Sequence, residues 1–416
     1  MASSRIDRSQ RRRERRQQLT ATAEEDKEKN ADDDDGWLLV TRTRNVPEAA
    51  EGEEAEEEIE CRIRLESQKL IGRGVFAVVY RAELRLENAD ETTTVAVKKG
   101  WRDGVEDEEL AARELGIYRD LQHPNICQLL YYIDTSHADG KVCRKFVIDY
   151  MPTTCQSHWE KEGKAVGGGR IFLDSFVIRL WVFQLLRALV YLHSCCEPPI
   201  VHRDIKPENM LVDPETHLVK LADFGCAKRI DEGVTSEHYK VTRYYRPPEM
   251  LLRSSYYGTP ADLWSAGAVF GGFLKGDVLW PGEPTEDQFD RIQTTLGTPT
   301  PQDLDAMKLD LVPDWKCLRR GRRPAGFAKE LGIGDAGKEP SAQKLLARML
   351  VYDPSKRLSA EDAMRHIYFA PLRFPVDALP MRLPISVIPI KMATPTVGTP
   401  AKTPSTSTTN VVTIDN

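Results

Sequence analysis

The sequence predicts an α+β fold in which a small β-rich lobe precedes a larger, mainly helical lobe. Between about residues 61 and 97, apolar residues alternate or run together with valine and tyrosine, and glycines break the pattern, which is typical of a β-meander. From Phe176 to Ser194, apolar residues recur at helical spacing and predict a long helix. The short stretch 149–152 lies between these two regions and predicts a hinge.

Composition divides the chain into four segments. Residues 1–60 predict a disordered arm, first basic and then acidic, and residues 375–416 a disordered tail rich in proline, serine and threonine. Residues 61–150 are assigned to the small lobe and residues 151–374 to the larger one. Within the lobes, further helices are expected at about 108–121 and 341–351, a strand at 145–148, and a flexible loop at 163–169.

The net charge of −6 hides a strong segregation of charge within the arm. Residues 1–16 carry seven arginines against two acids, whereas residues 24–60 carry sixteen acids against four bases. A segment with so much charge and few aromatic residues cannot bury enough surface to fold alone. The basic run Arg11–Arg16 is a solvated tail, a nuclear address or an anion-binding patch, and the sequence leaves these alternatives open.

Compartment and partners are constrained by what the sequence lacks. It shows no apolar stretch of signal-peptide or membrane-spanning length, and its eight cysteines have no metal-ligand spacing. We therefore expect a cytoplasmic protein with free thiols, which is also nuclear if the basic run is an address. Neither a membrane nor a nucleic acid is expected as a partner.

One run of polar residues carries the chemistry. The stretch 202–209, His-Arg-Asp-Ile-Lys-Pro-Glu-Asn, is followed by Asp223-Phe224-Gly225. In this spacing Asp204 can accept the proton of an attacking hydroxyl, and Lys206 can reach a phosphoryl group in transfer. Asn209 and Asp223 can hold Mg²⁺ between phosphates. The pattern indicates phosphoryl transfer from a metal-bound nucleotide.

A second set of residues upstream supports this interpretation. Gly72 and Gly74 precede a β-branched run, and glycines allow backbone N–H groups to approach phosphates closely. Lys98 ends an apolar strand and would neutralise phosphate charge, with Glu114 on the next helix as the partner that holds it. Taken alone, Lys98 and Glu114 would be two solvated surface charges; together with the downstream loop, the functional interpretation is favoured.

Taken in order, these motifs resemble the eukaryotic protein kinases over roughly residues 62–370. The resemblance implies the two-lobed protein kinase fold, ATP as the phosphate donor and Mg²⁺ as the cofactor. Ala77 replaces the third glycine of the family's nucleotide loop, so weaker nucleotide binding is the largest effect expected. By the same resemblance, the nucleotide site comprises Gly72, Gly74, Val79, Ala96, Lys98, Asp149, Met151 and Leu211.

The segment that ends at Glu249 narrows the class further. Residues 244–249, Tyr-Tyr-Arg-Pro-Pro-Glu, resemble the CMGC group, which includes cyclin-dependent, mitogen-activated and glycogen synthase kinases, as does Trp-Pro-Gly at 280–282. The resemblance makes Arg246 the arginine that favours substrates with proline after the phosphoacceptor. It also implies a structural ion pair between Glu249 and Arg357.

Within the group, the resemblance to glycogen synthase kinase 3 is strongest. Tyr239 stands where that family carries an activating phosphotyrosine. The mitogen-activated kinases need a threonine at position 237, where this chain has glutamate. Asp290 carries a charge where the family's scaffold-binding surface is apolar, so scaffold proteins are a possible class of partner rather than a specific expectation.

Three cations raise the question of substrate choice. By resemblance, Arg113, Arg203 and Lys228 form a pocket that binds a phosphate already on the substrate, four residues C-terminal to the new site. The alternative is that Glu237, or a phosphate on residue 235 or 236, fills the pocket from within the chain. In the tail, Thr399, Thr403 and Ser407 match the same four-residue spacing, and chance explains that match equally well.

We therefore predict an ATP- and Mg²⁺-dependent serine/threonine protein kinase that acts on protein substrates and is most similar to glycogen synthase kinase 3. An unprimed, proline-directed kinase similar to the cyclin-dependent or mitogen-activated enzymes is the first alternative. A pseudokinase scaffold that works through its charged arm and tail is the second.

Overall fold

The computed structural model describes residues 38–42, 59–73, 77–87, 91–102, 105–136, 142–166, 169–230, 243–256, 258–310, 319, 321–332 and 340–373. In this part of the chain a β-rich lobe is followed by a larger helical lobe, which confirms the predicted fold class. Gly74, positions 235–237, Tyr239, the basic run and the tail from residue 375 lie outside the described residues, and so do the predictions made for them.

The small lobe is a closed antiparallel barrel in the strand order β1-β2-β3-β4-β6-β5. Side chains that alternate along these strands point into the barrel, and Ile63, Val95, Val97 and Val147 are completely buried there. Strands β2, β3 and β4, which follow one another in the chain and pair in that order, confirm the β-meander predicted for residues 61–97. The strands are β1 Leu38–Arg42, β2 Ile59–Arg73, β3 Ala77–Leu86, β4 Thr92–Arg102, β5 Leu129–Ser136 and β6 Val142–Asp149.

Strand β1 differs from the prediction, because it lies inside residues 1–60, which were expected to form a disordered arm. Its backbone pairs along its length with β2, and Thr41 and Arg42 also pair with β5. The run Leu38-Leu39-Val40 has strong strand propensity, but it is short and flanked by acidic stretches that dominate the average composition. The small lobe therefore includes residues on the N-terminal side of the predicted boundary.

Helix α1, Val105–Tyr118, packs on the small lobe, and the remaining described helices belong to the larger lobe. The predicted helix at 108–121 thus exists but begins and ends three residues earlier. The helix predicted at 341–351 is α9. The helices are α2 Cys155–Glu162, α3 Ser175–Val190, α4 Pro248–Leu251, α5 Thr259–Lys275, α6 Thr285–Leu296, α7 Pro301–Ala306, α8 Phe327–Glu330, α9 Pro340–Met349 and α10 Ala360–Arg365.

Helix α3 forms the centre of the larger lobe. Asp174 caps its N-terminus by accepting a hydrogen bond from the Phe176 N–H at 2.8 Å. Trp181 is fully buried and packs edge-on against Phe273 of α5, with ring centroids 5.7 Å apart. Residues 175–195 are long and apolar enough to cross a membrane by length and composition, contrary to the sequence expectation, and 72% of this window is buried inside the protein. Its apolar residues therefore serve the core of this lobe.

The larger lobe also contains short strands that place loops of the site. Lys164–Val166 (β8) and Arg170–Phe172 (β9) form an antiparallel hairpin where a flexible loop was predicted. The glycines after Val166 suggested a loop, but β-branched and aromatic residues flank them, and the Trp159 indole N–H donates to the Ile171 carbonyl at 2.6 Å. The other short strands are β7 Thr153–Thr154, β10 Ile200–Val201, β11 Met210–Val212, β12 Val219–Leu221 and β13 Lys228–Arg229.

Candidate active site

The loop between β10 and β11 brings together three of the polar residues predicted from the sequence. The Lys206 Nζ lies 2.7 Å from the Asp204 Oδ2. The Asn209 side-chain amide donates to the Asp204 carbonyl at 2.8 Å and to its Oδ2 at 3.0 Å. A short 3₁₀ turn, Pro207–Asn209, holds this amide beneath Asp204. The Asp204 carboxylate is therefore fixed in orientation, with a cation directly beside it.

Asp262, in the first turn of α5, anchors the backbone of this loop. Its carboxylate accepts hydrogen bonds from the His202 N–H at 2.8 Å and from the Arg203 N–H at 2.9 Å. Arg203 has φ of +68°, a left-handed conformation that costs on the order of 1 to 3 kcal/mol for a residue with a side chain. The two charge-assisted bonds to Asp262 offset that cost. This role of Asp262 was not predicted from the sequence; the available signal was a single aspartate in the first turn of a mainly apolar helix.

Lys98 joins the two lobes at the other side of the cleft. Its Nζ lies 2.6 Å from the Glu114 Oε1 and 2.9 Å from the Asp223 Oδ1. Burial alone would lower the pKa of Lys98, but the carboxylates of Asp223 and Glu114 outweigh it and raise the pKa above its ordinary value. In return, Lys98 lowers the pKa of Asp223 to about 2. Lys98 and Asp223 are therefore charged at neutral pH, and the predicted pairing of Lys98 with Glu114 is present.

Asn209 and Asp223 fit the metal role expected of them. The Ala222 N–H donates to the Asn209 carbonyl at 2.9 Å, so the two loops that carry these residues are joined directly. An ionised carboxylate and an amide oxygen are hard ligands of the kind that Mg²⁺ prefers. Among the described residues no group of three or more His, Cys, Asp or Glu side chains could hold a metal by itself. Such a two-ligand site suits a Mg²⁺ that also takes ligands from phosphates and water.

The residues expected to contact the nucleotide base line one apolar region between the lobes. Val79, Ala96 and Leu211 belong to, or pack against, the same buried cluster. Gly72 ends β2 and pairs with Val79 in β3. The base would therefore lie between the sheet of the small lobe and β11 of the larger lobe.

The two hinge residues expected to bond the nucleotide base, Asp149 and Met151, differ in the hydrogen bonds that they already make. The Asp149 N–H already donates to the Gln128 carbonyl at 3.1 Å, and the Asp149 side chain accepts from Lys220. Met151 follows the end of β6, and its N–H donates to no other described residue. Among the described hinge residues, the Met151 N–H is therefore available to a nucleotide base, whereas the Asp149 N–H is already used and its carbonyl accepts from the Cys127 thiol at 3.5 Å.

Phe224 and Cys226 lie behind the polar site. The Phe224 ring is fully buried, with its centroid 5.0 Å from that of Tyr118 and 5.0 Å from that of His202. Burial, assisted by Asp204 and Asp223, raises the pKa of the Cys226 thiol to about 12. This thiol stays protonated at neutral pH, which agrees with a packing role rather than a redox one.

The three cations of the expected phosphate pocket lie on neighbouring elements. Arg203 is buried, and its Nε donates to the Cys226 carbonyl. Lys228 lies in β13, which pairs with β10 just before the catalytic loop. Arg113 is exposed on α1, and α1 packs against β13.

Tyr244 and Arg246, near the end of the segment expected to bind the substrate, both contact residues of the larger lobe. Arg246 lines a small cavity together with Asp204, Pro247 and Met250. The Tyr244 hydroxyl donates to the Glu283 Oε1 at 2.8 Å. Arg246 thus lies close to the expected catalytic carboxylate, as a substrate-selecting residue must.

Asp290 on α6, which stood out in the sequence as a charge on an expected apolar surface, is compensated inside the chain. Its Oδ1 lies 2.7 Å from the Arg319 Nε and 3.2 Å from the Arg322 Nη1. Its neighbour Phe289 is completely buried. The charge on this surface is therefore part of a local ion-pair cluster.

Comparisons with known proteins agree with this geometry. Residues 65–369 match the model of the protein kinase domain family, so the chain belongs to the protein kinases. A curated relative, glycogen synthase kinase 1 of Pyricularia oryzae, is 35% identical over 309 residues, which are 74% of this chain and 73% of the relative. The chain is therefore a protein kinase similar to glycogen synthase kinases. Protein kinases as a class use ATP and a divalent metal.

Proposed function

We propose that this chain is a serine/threonine protein kinase that transfers the γ-phosphate of ATP to hydroxyls of protein substrates. The observation that carries the proposal is the contact between Asp204, Lys206 and Asn209 on one side of the cleft, with Lys98, Glu114 and Asp223 paired on the other. These two groups of side chains would supply the carboxylates and ammonium groups that phosphoryl transfer needs.

Each residue has a step that follows from its position. Asp204 accepts the hydrogen bond of the substrate hydroxyl, orients its oxygen and takes up the proton as that oxygen bonds to the γ-phosphorus. The bond from this phosphorus to the β–γ bridging oxygen of ATP breaks in the same step, and ADP leaves. Lys206, 2.7 Å from Asp204, lies where it can neutralise charge on the phosphoryl oxygens. Lys98 neutralises the remaining phosphates. Mg²⁺ held by Asn209 and Asp223 would supply the additional positive charge that phosphoryl transfer requires.

Replacing Asp204 by Asn tests whether the chain is an active enzyme or a pseudokinase scaffold. The substitution keeps the shape and the contact with Lys206 but removes the base. We expect phosphate transfer by the purified protein to fall at least 100-fold, with ATP binding unchanged. Full activity of the variant would contradict the assignment of Asp204, and no activity in the wild-type protein would favour the scaffold.

We further propose that substrates carrying a phosphate four residues C-terminal to the acceptor are preferred. Support comes from Arg113, Arg203 and Lys228, which lie on the adjoining elements α1, the catalytic loop and β13. Two guanidiniums and an ammonium on adjoining elements are a set of groups well suited to a phosphate.

Two peptides that differ only in a phosphoserine at that fourth position test the preference. The phosphorylated peptide should have a kcat/KM about 10- to 100-fold higher, and Arg113→Ala should remove most of the difference. Arg119→Ala, a change at another exposed arginine just after α1, is the matched control. Equal values for both peptides would instead favour the unprimed, proline-directed alternative, in which Arg246 selects proline after the acceptor.

The proposal for regulation rests on the sequence alone. Phosphorylation of Tyr239 would raise the activity, so Tyr239→Phe should lower kcat, and an unchanged kcat would exclude an activating role for this phosphorylation.

The proposal for cellular location also rests on the sequence alone. We propose a cytoplasmic protein that enters the nucleus through the basic run Arg11–Arg16. Replacing the arginines of this run by alanine should then abolish any nuclear fraction seen by microscopy.

A further inference from the structure

Two cysteines stand next to each other in the turn that follows α3. Cys195 is exposed, Cys196 is partly exposed, and both thiols are free. By contrast, Cys127, Cys143 and Cys155 are buried, where reagents in solution do not reach them easily. We call Cys195 and Cys196 the thiol pair. It offers a reagent two thiols on consecutive residues, and no step of the proposed phosphoryl transfer uses them.

Arg229 acts electrostatically on the second thiol of the pair. Partial burial raises the pKa of the Cys196 thiol, and the Arg229 guanidinium opposes that rise. Asp120, which lies 2.8 Å from Arg229, favours the protonated thiol but has a smaller effect. A neighbouring cation favours the thiolate, which is the form of cysteine that attacks other sulfur atoms. A reagent would therefore meet the exposed Cys195 first, and Arg229 would assist the reaction of Cys196 that follows.

A disulfide within the thiol pair would be easily reduced again. Consecutive Cα atoms are about 3.8 Å apart, whereas Cα atoms of residues joined by a disulfide usually lie about 4.4 to 6.8 Å apart. A bridge between neighbours is therefore strained, and strained or exposed disulfides are the ones that exchange readily with other thiols. The thiol pair is thus suited to reversible oxidation rather than to a permanent structural bridge.

Closing this bridge would change the backbone around Cys196. In the reduced protein the Cys196 N–H donates to the Tyr191 carbonyl at 3.2 Å, and the Cys196 backbone is extended, with φ of −88° and ψ of 139°. The bridge would close a small ring that includes the peptide bond between the two cysteines. Since that bond stays close to planar, the dihedral angles beside it must change. We expect the hydrogen bond to the Tyr191 carbonyl to be lost.

From Cys196 the chain runs directly into the core of the larger lobe. Ile200 and Val201 form β10, are 0% and 1% exposed, and pair with β13. The Ile230 N–H at the end of β13 donates to the Pro199 carbonyl at 2.8 Å. The catalytic loop begins at the residue after β10. A displacement at Cys196 would therefore loosen β10 and disturb the loop that follows it.

We propose that the thiol pair is a site of reversible oxidation by low-molecular-weight disulfides, such as glutathione disulfide, and that its oxidation slows the kinase. The Cys195 thiolate attacks one sulfur of the disulfide, the S–S bond breaks, and one thiol leaves while the other half stays on Cys195. The Cys196 thiolate then attacks the Cys195 sulfur and releases the second thiol.

This exchange balances without a further reactant. The two cysteine sulfurs lose two electrons to the disulfide, and the protons of the two protein thiols end on the two thiols released. The effect on the rate rests on the phosphoryl transfer proposed above, whereas the oxidation itself does not.

Mass spectrometry of the full chain treated with glutathione disulfide tests the chemistry. The wild-type peptide that contains the thiol pair should become two hydrogens lighter, and dithiothreitol should reverse the change. Cys196→Ser should stop at the mixed disulfide and keep one glutathione on Cys195. Cys195→Ser should react about tenfold more slowly, because its remaining thiol is partly buried. No reaction in the wild type, glutathione retained by it, or a bridge from the pair to another cysteine would overturn the proposal.

Amide hydrogen exchange measures the effect on β10 without any need for activity. The Ile230 N–H should exchange about tenfold faster in the oxidised wild type than in the reduced one, because its acceptor lies in the displaced segment. The double variant with serine at positions 195 and 196 is the matched control, and its exchange should not respond to glutathione disulfide. Equal exchange in the oxidised and reduced wild type would contradict the displacement of β10.

Steady-state kinetics measures the effect on catalysis. We expect the kcat of the wild type to fall about 10-fold on oxidation, since small displacements of a catalytic group are costly, and to return with dithiothreitol. The double serine variant should keep the kcat of the reduced wild type under both conditions. An unchanged kcat in protein whose bridge has formed would refute the effect on the rate. If the wild type transferred no phosphate at all, the kinase assignment would fail, whereas the mass and exchange measurements would still decide whether the thiol pair is oxidised and moves β10.

Discussion

Arg357 and Glu249 form a two-point ion pair that is sealed inside the larger lobe. The Nη1–Oε1 and Nη2–Oε2 distances are both 2.6 Å, and the two side chains are 0% and 1% exposed. The same guanidinium donates through its Nε to the Val351 carbonyl at 2.8 Å and lies over the Trp264 ring. The pair joins the end of the substrate-binding segment to the C-terminal helices, as the sequence implied.

Arg357→Ala should destabilise the protein strongly, because it leaves the Glu249 carboxylate buried without its partner. We expect a loss of about 3 to 5 kcal/mol in the free energy of unfolding, measured by urea denaturation. Lys356→Ala is the control, since Lys356 also pairs with a carboxylate, that of Asp353, but its own side chain is 65% exposed. That change should leave the free energy of unfolding nearly unchanged. Equal effects of both substitutions would contradict the buried pair.

Glu114→Gln should weaken nucleotide use without unfolding the chain. Lys98 would keep Asp223 as a partner at 2.9 Å but lose the carboxylate that holds it from α1. We expect kcat/KM for ATP to fall about 10- to 100-fold, corresponding to about 1.4 to 2.8 kcal/mol of transition-state stabilisation. Steady-state kinetics at varied ATP measures this, with Glu361→Gln on the exposed face of α10 as the control. Unchanged kinetics in Glu114→Gln would exclude a role for the pair.

His123 should make the protein less stable in mild acid. Burial, with help from Arg187, lowers the pKa of His123 to about 4, below its ordinary value of 6.5. The folded state therefore binds fewer protons than the unfolded state between these values, so this contribution to stability is complete above pH 6.5 and is lost as the pH falls towards 4. His123 Nδ1 accepts the Asn125 N–H at 3.1 Å, which protonation would prevent.

His123→Asn retains a short acceptor but no titratable group. Urea unfolding at pH 7 and pH 5 should show a smaller loss of stability for this variant than for the wild type. Because His158, His217 and His366 also have lowered pKa values, only the difference between the two proteins reports on His123. An identical pH dependence would place the stability change elsewhere.

The cysteines should differ sharply in reactivity. Cys195 is exposed in the turn that follows α3, whereas burial raises the pKa of Cys226 to about 12. At pH 8, iodoacetamide should modify Cys195 within minutes and leave Cys226 largely unmodified, as mass spectrometry of the digested protein can show. Rapid labelling of Cys226 would mean that its thiol is ionised.

The sequence allowed prediction of those site residues whose roles depend on local spacing. Asp204, Lys206 and Asn209 lie within six residues, so the loop itself determines their geometry, and Lys98 needed only one partner from the next helix. Asp262 was not predicted, because it is 58 residues beyond Asp204 and acts through backbone groups that carry no sequence signature. Its importance follows from tertiary packing alone.

The fold class was equally accessible, but the elements at its margins were not. Alternation of apolar residues marks the central strands of the barrel because each has a buried face. The hairpin of β8 and β9 is held by Trp159 and by Gly276, whose carbonyl accepts the Ile171 N–H at 2.8 Å, and both contacts come from other elements. Such short strands are stabilised by residues distant in sequence, so the pattern of apolar residues within the strands themselves does not predict them.

Strand β1 gives the small lobe a property that an open sheet lacks. Strand β1 closes the barrel by pairing along its whole length with β2 and through Thr41 and Arg42 with β5, so it covers part of the edge of each strand. A chain shortened to begin at residue 59 would expose the edges of β2 and β5, which are templates for pairing with the strands of other molecules. Such a chain would also lose the acidic residues that lie on either side of β1 in the sequence, and with them charge repulsion between molecules. We therefore expect the shortened chain to self-associate more readily than the full one.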